Sequence, residues 1–489
     1  MDRGSESPLL DGGRSTRTKA VSWLRLSAAL LVLTSIVVPA ALWANRSHGA
    51  LPGDGDGAGP CHCKASDMGD PPPGCITRSE NSTYDGNPLV ERFRRYLRIR
   101  TDHPEPNYCC AVAYLRGIAE DIGGLETMEV SYGKSTYKPF LIVTWRGTDP
   151  GLPSILLNSH TDVVQADPSN WRHDPFCAFM EENGDIFARG AQDCKDSGMH
   201  YLEAIRELKR KSFVPVRTIH VVYTPDEEIA GEEGFESFVA SEQFRGMNVG
   251  VAIDEGGATP GDSFRVFRGE KAAWWLTITA FGKSCHGSVM LQNGAIENLI
   301  KSMNSIMAYR QTLLDLVAAG VDDSSVASIS PTYLSAGVTT ATGYVSNIQP
   351  EQASAGFDIR ISPLAPEEGS DILNLIKTEW APKERNMSYE FLQFGETEVV
   401  TVVDDSNPWW SLLKNAILES GHMLQEPLLA SATSDSRNLR LRNISAFNFA
   451  AVSNTIDRVH GVDEYLNAGI YLAGVPVFEN IIKAFSSFS

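Results

Sequence analysis

The sequence predicts an α/β protein: a mostly parallel sheet with helices on both faces, an inserted α+β domain, and a transmembrane helix at the N-terminus. Three observations carry that expectation. Short apolar runs such as FLIVTW (140–145) and SILLNSH (154–160) alternate with helical stretches between residues 88 and 268, as strands buried on both faces do. Near residue 270 the texture changes to strict alternation in AWWLTITAFG (273–282) and ASAGFDIRIS (353–362), the mark of half-exposed strands. Residues 26–44 run without a charge, long enough at helical rise to cross a bilayer.

The elements follow in chain order. Residues 1–25 form a tail holding Arg14, Arg17, Lys19 and Arg25. That basic flank keeps the tail cytoplasmic and places the rest of the chain in the lumen or outside. Leu42-Trp43-Ala44 is a poor cleavage site, and the stretch before the apolar run is long for a signal peptide, so 26–44 reads as an uncleaved anchor. Glu6-Ser-Pro-Leu-Leu10 looks like an acidic dileucine sorting signal, a pattern short enough to be common by chance. Residues 45–87, rich in Gly, Pro, Asp and Ser, read as a flexible luminal stalk. Sequons at Asn45, Asn81, Asn386 and Asn443 agree with that side of the membrane. In an oxidising lumen some of the eight cysteines pair, with a connectivity that sequence does not give. Cys61, Cys63 and Cys75 in the stalk read as disulfide partners or free thiols, because no second ligand pair follows at zinc-site spacing.

The main domain occupies 88–268 and resumes at 384–489. Its first part has two helices within 90–121, broken by HPEPN. A helix follows at 197–210, with Met199, Leu202, Ile205 and Leu208 on one side. TIHVVYT (218–224) and NVGVAID (248–254) are further strands. The inserted domain, 269–383, holds a long helix at 294–318 between its two alternating strands. The second part has a helix from Pro408 to Glu419, a strand at 444–450 and a closing helix after Asn467. The net charge of −19 argues against nucleic acid as a partner; the acidity otherwise serves solubility.

In an open parallel sheet, sites form beyond the C-terminal ends of the strands. Four polar clusters sit there: Ser159-His160-Thr-Asp162, Gly190-Ala-Gln-Asp193, Pro225-Asp226-Glu227-Glu228 and Asp254-Glu255-Gly256-Gly257. Each has a bland reading by itself. His160 could be a satisfied core histidine and Asp193 a helix N-cap. Glu227-Glu228 could be a solvated helix start and Asp254-Glu255 a polar turn. Together, so many carboxylates at one mouth would repel each other without cations. Histidine plus carboxylates, with no cysteine in the clusters, suits zinc, cobalt or manganese. His460, in DRVHGVDEY, is the natural second histidine of a two-metal site.

From about Pro88 onward the segments VERFRRYLRIRT, ILLNSHTDVV, WRHDPF, ARGAQDCK, YLEAIRELK, RTIHVVYTPDEEIAG, IDEGG and FRGEKAAWW stand in order. With them the chain resembles the aminoacylase-1 family of di-zinc N-acyl-amino-acid amidohydrolases and carboxypeptidase-S-like metallopeptidases. The resemblance implies a zinc-peptidase-like catalytic domain and an inserted lid that dimerises. It implies one zinc on His160 and Glu255, a second on Glu228 and His460, and Asp193 bridging them, often before a cis peptide. Asp162 would orient His160, and Glu227 would be the general base that takes a proton from water and passes it to the leaving amine. From the lid, His286 would reach across the dimer to the oxyanion. Asn347 and Arg360 would hold the substrate's backbone end, the planar fork of Arg360 suiting a carboxylate. A surface ion pair of Arg360 with Asp358 is the bland alternative.

The implied substrate is an N-acyl-L-amino acid, with Co²⁺ or Mn²⁺ as possible substitutes for Zn²⁺. Cys194 stands where the family often has methionine, and Cys285 precedes His286; a thiol at either place would make activity redox-sensitive. A carboxypeptidase or dipeptidase would use the same chemistry. A scaffold that had lost catalysis would lack a ligand or the base, and every expected position is filled.

Overall fold

Four apolar runs form the parallel centre of an eight-stranded sheet: Ile219–Thr224, Ser154–His160, Val249–Asp254 and Ser445–Asn448. The computed structural model describes residues 63–488, apart from 65–66, 80–81, 133–136, 230, 232 and 398. The central strands are buried on both faces. Leu157, Val221, Ile253 and Phe447 enter one core; Leu156, Val222, Ala252 and Ala446 enter the other. Each buried Leu, Ile, Val or Phe among them contributes about 1.5–3 kcal/mol. The longer helices Tyr108–Ile122, Lys195–Arg210, Pro408–Glu419 and Ala468–Ser487 cover the first face. Short helices at Phe235–Ala240 and Ser436–Arg440 contribute to the second.

The sheet is mixed rather than mostly parallel. Pro139–Trp145 runs antiparallel to Ile219–Thr224 and to an edge strand, Glu126–Ser131. Residues 146–153 are too few for the helical crossover that two parallel strands need, so the chain reverses direction. At the far edge Phe267–Glu270 is antiparallel to Ser445–Asn448 and parallel to Leu428–Ala430. The parallel register still delivers His160 beside Thr224, and Asp254 beside Asn448, to one end of the sheet.

The inserted segment contributes a four-stranded antiparallel sheet in the order Ser328–Ala336, Gln352–Ile361, Ala272–Phe281, Met387–Phe394. Leu276, Ile278, Phe357 and Ile359 pack on one face with Leu299, Ile306 and Ile372 from the helices Ala295–Ala318 and Pro366–Leu375. Trp275 and Tyr333 stay exposed. The fourth strand lies beyond residue 383, so the unit runs past its expected boundary to Phe394. That edge strand exposes most of its residues, which blurs its apolar pattern.

The expected stalk needs correction over its described part. Cys63 is bonded to Cys110 and Cys75 to Cys177, and Cys109 is also disulfide-bonded. Arg78 bridges to Met180, and Asn87 caps the helix Pro88–Arg98. This segment is therefore tied to the domain rather than free. The predicted anchor 26–44 lies outside the described residues. Among those described, one helix is long and apolar enough to cross a membrane, Ala468–Ser487, and Tyr471, Val477, Phe478, Ile481 and Phe485 bury it in the core.

Candidate metal centre

His160 closes its strand with the imidazole buried. Its Nδ1 lies 2.8 Å from the backbone oxygen of Asp162, which can only accept, so Nδ1 carries a proton and Nε2 is the nitrogen turned to the carboxylates. Nε2 is 3.1 Å from Asp193 Oδ1 and 3.0 Å from Glu255 Oε2. The other Asp193 oxygen is 3.0 Å from His460 Nε2, which is 2.9 Å from Glu228 Oε2. Asp193 thus joins two triads, His160/Asp193/Glu255 and Asp193/Glu228/His460. Within each, the donor atoms lie no more than 4.8 Å apart. Two divalent cations fit this donor set.

The charges argue the same way. Burial, then the neighbouring Glu255, pushes the Glu227 carboxyl well above its ordinary range. Burial raises Glu255 likewise. At Asp193 burial opposes the anion, but hydrogen bonds from His160 and His460 outweigh it and hold the group low. Those with Asp193 and Glu228 push His460 up to about 10. Bound cations would neutralise the cluster and return its carboxylates to the anionic form.

Each member has a structural reason for its place. The Asp193–Cys194 peptide is cis, as the resemblance implied. The loop before it turns at Gly190, whose φ of +84° is left-handed, and a Cβ there would come within 2.8 Å of Val163. Buried Glu464 accepts from the backbone N–H groups of Gly190 and Gln192 and pairs with Arg189 at 2.7 Å. The Gln192 side chain donates to Ile456 and Tyr465 and accepts from the N–H of Arg458. The Asp193 loop is thereby bound to the loop carrying His460. Asn158 donates to both Asp254 and Asp435, beneath the mouth.

Asp162 lies behind His160 and also beneath the turn at Glu227. Its backbone oxygen orients His160, while its carboxylate accepts from the backbone N–H groups of Glu227 and Glu228 at 3.2 and 3.1 Å. A cavity of about 410 Å³ opens over Asp193, Glu227, Glu228, Glu255 and His460. His286, Asn347 and Arg360 do not line it. His286 stands exposed on a two-residue ribbon that pairs with Ile348–Gln349, next to Asn347. Arg360 is doubly hydrogen-bonded to Asp358, at 2.7 and 2.9 Å. Cys194 is buried at the first triad, and Cys285 is half-buried; both are free thiols.

Sequence reasoning gave no part to Arg189, Gln192, Glu464, Asn158 or Asp435. Arg189, Gln192 and Glu464 did sit inside quoted segments, ARGAQDCK and DRVHGVDEY, and proximity to a ligand was the available signal.

The model of peptidase family M20/M25/M40 matches residues 156–484. Aminoacylase-1 of Sus scrofa is 37% identical over 403 residues, covering 82% of this chain and 96% of the relative. A metallo-carboxypeptidase of the M20 family from Sulfolobus solfataricus superposes with a TM-score of 0.65 at 18% identity, over 81% of this chain and 98% of that one. A dinuclear metal-binding M20 peptidase from Bacillus subtilis gives 0.58 at 14%, over 81% and 98%. These two share the fold. With the triads in place, this chain belongs to peptidase family M20/M25/M40, as an aminoacylase-1-like hydrolase of amide bonds.

Proposed function

We propose that this protein hydrolyses N-acyl-L-amino acids to a carboxylate and a free L-amino acid with two zinc ions per chain, Co²⁺ or Mn²⁺ being able to substitute. The Asp193 carboxylate carries the reading: one oxygen faces each histidine, at 3.1 and 3.0 Å. The 37% identity to aminoacylase-1 over 96% of that relative's length supports this substrate class.

His160 and Glu255 would hold one ion, Glu228 and His460 the other, and Asp193 both. Bound there, the two ions would supply Lewis acidity to the water and the amide carbonyl. Glu227, in the cavity wall, takes the proton of the attacking water and passes it to the leaving nitrogen. His286 and Asn347, exposed together on the inserted domain, would serve the site of a second copy, making the inserted domain a dimerising lid. His286 would donate to the oxyanion there. Arg360 offers its fork to the substrate carboxylate in competition with Asp358. The apolar segment 26–44 would anchor the chain with this domain luminal or extracellular; the Cys63–Cys110 and Cys75–Cys177 disulfides support an oxidising compartment.

The test is metal content and turnover of N-acetyl-L-methionine by the full chain beside Glu227→Ala. Two metals per chain, with turnover lost in the variant, is the expected result. Two metals with turnover of dipeptides alone would make it a peptidase. A chain that binds no metal would overturn the reading.

A further inference from the structure

The HPEPN break between the first two helices does more than end a helix. It runs beside the strand-end segment 161–163: Val163 N–H donates to Thr101 at 3.0 Å, and His103 N–H to Val163 at 3.4 Å. From this strap two side chains reach the turn that carries Glu227. His103 Nε2 lies 2.9 Å from Asp162 Oδ2. Since that carboxylate already accepts the backbone N–H groups of Glu227 and Glu228, Nε2 must be the donor. Tyr108, at the start of the second helix, donates its hydroxyl to Asp226 Oδ1 at 2.7 Å and accepts the Asp226 N–H at 3.0 Å.

The turn has reason to need such support. Asp226 sits at φ +66°, in the left-handed region, which costs a residue other than glycine roughly 1–2 kcal/mol. Glu227–Ile229 is a single 3₁₀ turn, too short to stabilise itself. Asp226 is also held by the Lys138 ammonium. The two clasps bracket Glu227, one on the preceding residue and one on its own N–H through Asp162.

We propose that His103 and Tyr108 are positioning residues which, acting through Asp162 and Asp226, fix the backbone of the 226–228 turn and so aim the Glu227 carboxylate. The inference rests on Glu227 being the base of the proposed hydrolysis. Neither residue touches the metal triads themselves; because Asp162 also meets Glu228 and His160, the number of metals per chain is read beside kcat, and its retention separates the aim of Glu227 from loss of a ligand.

The experiment uses the full-length enzyme with N-acetyl-L-methionine, reading kcat, KM, metals per chain and thermal midpoint. His103→Ala is expected to lower kcat about 10–100-fold, as sub-ångström misplacement of a reacting group does, with both metals retained. KM stays within about threefold, and His103→Gln, which restores a donor, recovers most of kcat. Tyr108→Phe lowers kcat about fivefold. In a Glu227→Gln background, His103→Ala adds no more than about twofold, because the two act as one unit.

Wild-type activity in His103→Ala would overturn the proposal. So would its full loss repeated on top of Glu227→Gln, or loss of metal. Should His103→Ala fail to fold, Tyr108→Phe decides, and an unchanged kcat overturns. An undiminished Glu227→Gln would remove the base reading and this inference with it. An inactive Glu227→Gln beside a fully active His103→Ala removes the inference alone.

Discussion

At the end of the central sheet His160, Asp193, Glu228, Glu255 and His460 come from five segments of the chain and meet within hydrogen-bonding distance. In the inserted segment His286 and Asn347, at the two-residue ribbon, and Arg360, on the sheet, lie nearer in sequence, yet they stay out of that cavity. The difference is in what holds each set. The metal-type residues are backed by buried acceptors and donors, among them Glu464, Gln192 and Asp162. The inserted residues have local partners only, Ser288 for His286 and Asp358 for Arg360. The metal triads are complete within one chain, whereas His286 and Arg360 meet only their own neighbours.

The largest expected effect separates the two sets directly. Glu227→Gln should lower kcat by roughly 10²–10⁴-fold, the usual worth of a positioned base, with both metals retained. An active variant would show that Glu227, beside the first set in the cavity wall, is not the base. His286→Ala should cost roughly 10²–10³-fold if it supplies an oxyanion donor. Mixing inactive His286→Ala subunits with inactive Glu227→Gln subunits should restore activity in mixed dimers. Absence of complementation would return His286 to the status of a surface histidine.

Glu464→Gln should cost about 10–100-fold in metal affinity or activity, because it loosens the Asp193 loop without removing a ligand. Metal titration of the variant checks this, and wild-type affinity would mean that Gln192 alone holds the loop.

The smallest effect is on stability. Burial lowers His200 and His220, in the main domain, to about 4. The unfolded chain therefore takes up their protons first as pH falls below about 6.5, and stability declines from there toward pH 4. His200→Gln should flatten part of that slope in thermal melts.

Much of this arrangement is legible in the chain itself. SILLNSH and NVGVAID end where the structure ends its strands, and the acidic clusters after them are the ones that converge. Less legible was Pro139–Trp145, whose apolar run looks the same in either direction. Glu464, Arg189, His103 and Tyr108 carried no motif weight because their partners are distant in sequence: Glu464 holds Gln192 across 272 residues, and Tyr108 holds Asp226 across 118.

The sequence alone determined where the central strands lie and the histidine- and carboxylate-bearing chemistry of their ends. It could do so because burial demands apolar runs and because clustered carboxylates demand cations. Tertiary structure decided the mixed direction of the sheet, the tethering of residues 63–87 and the extension of the inserted unit to Phe394. It also decided which polar residues stand behind the ligands. These depend on pairings between distant segments, and a hydrogen bond to a buried backbone N–H leaves no periodic trace along the chain.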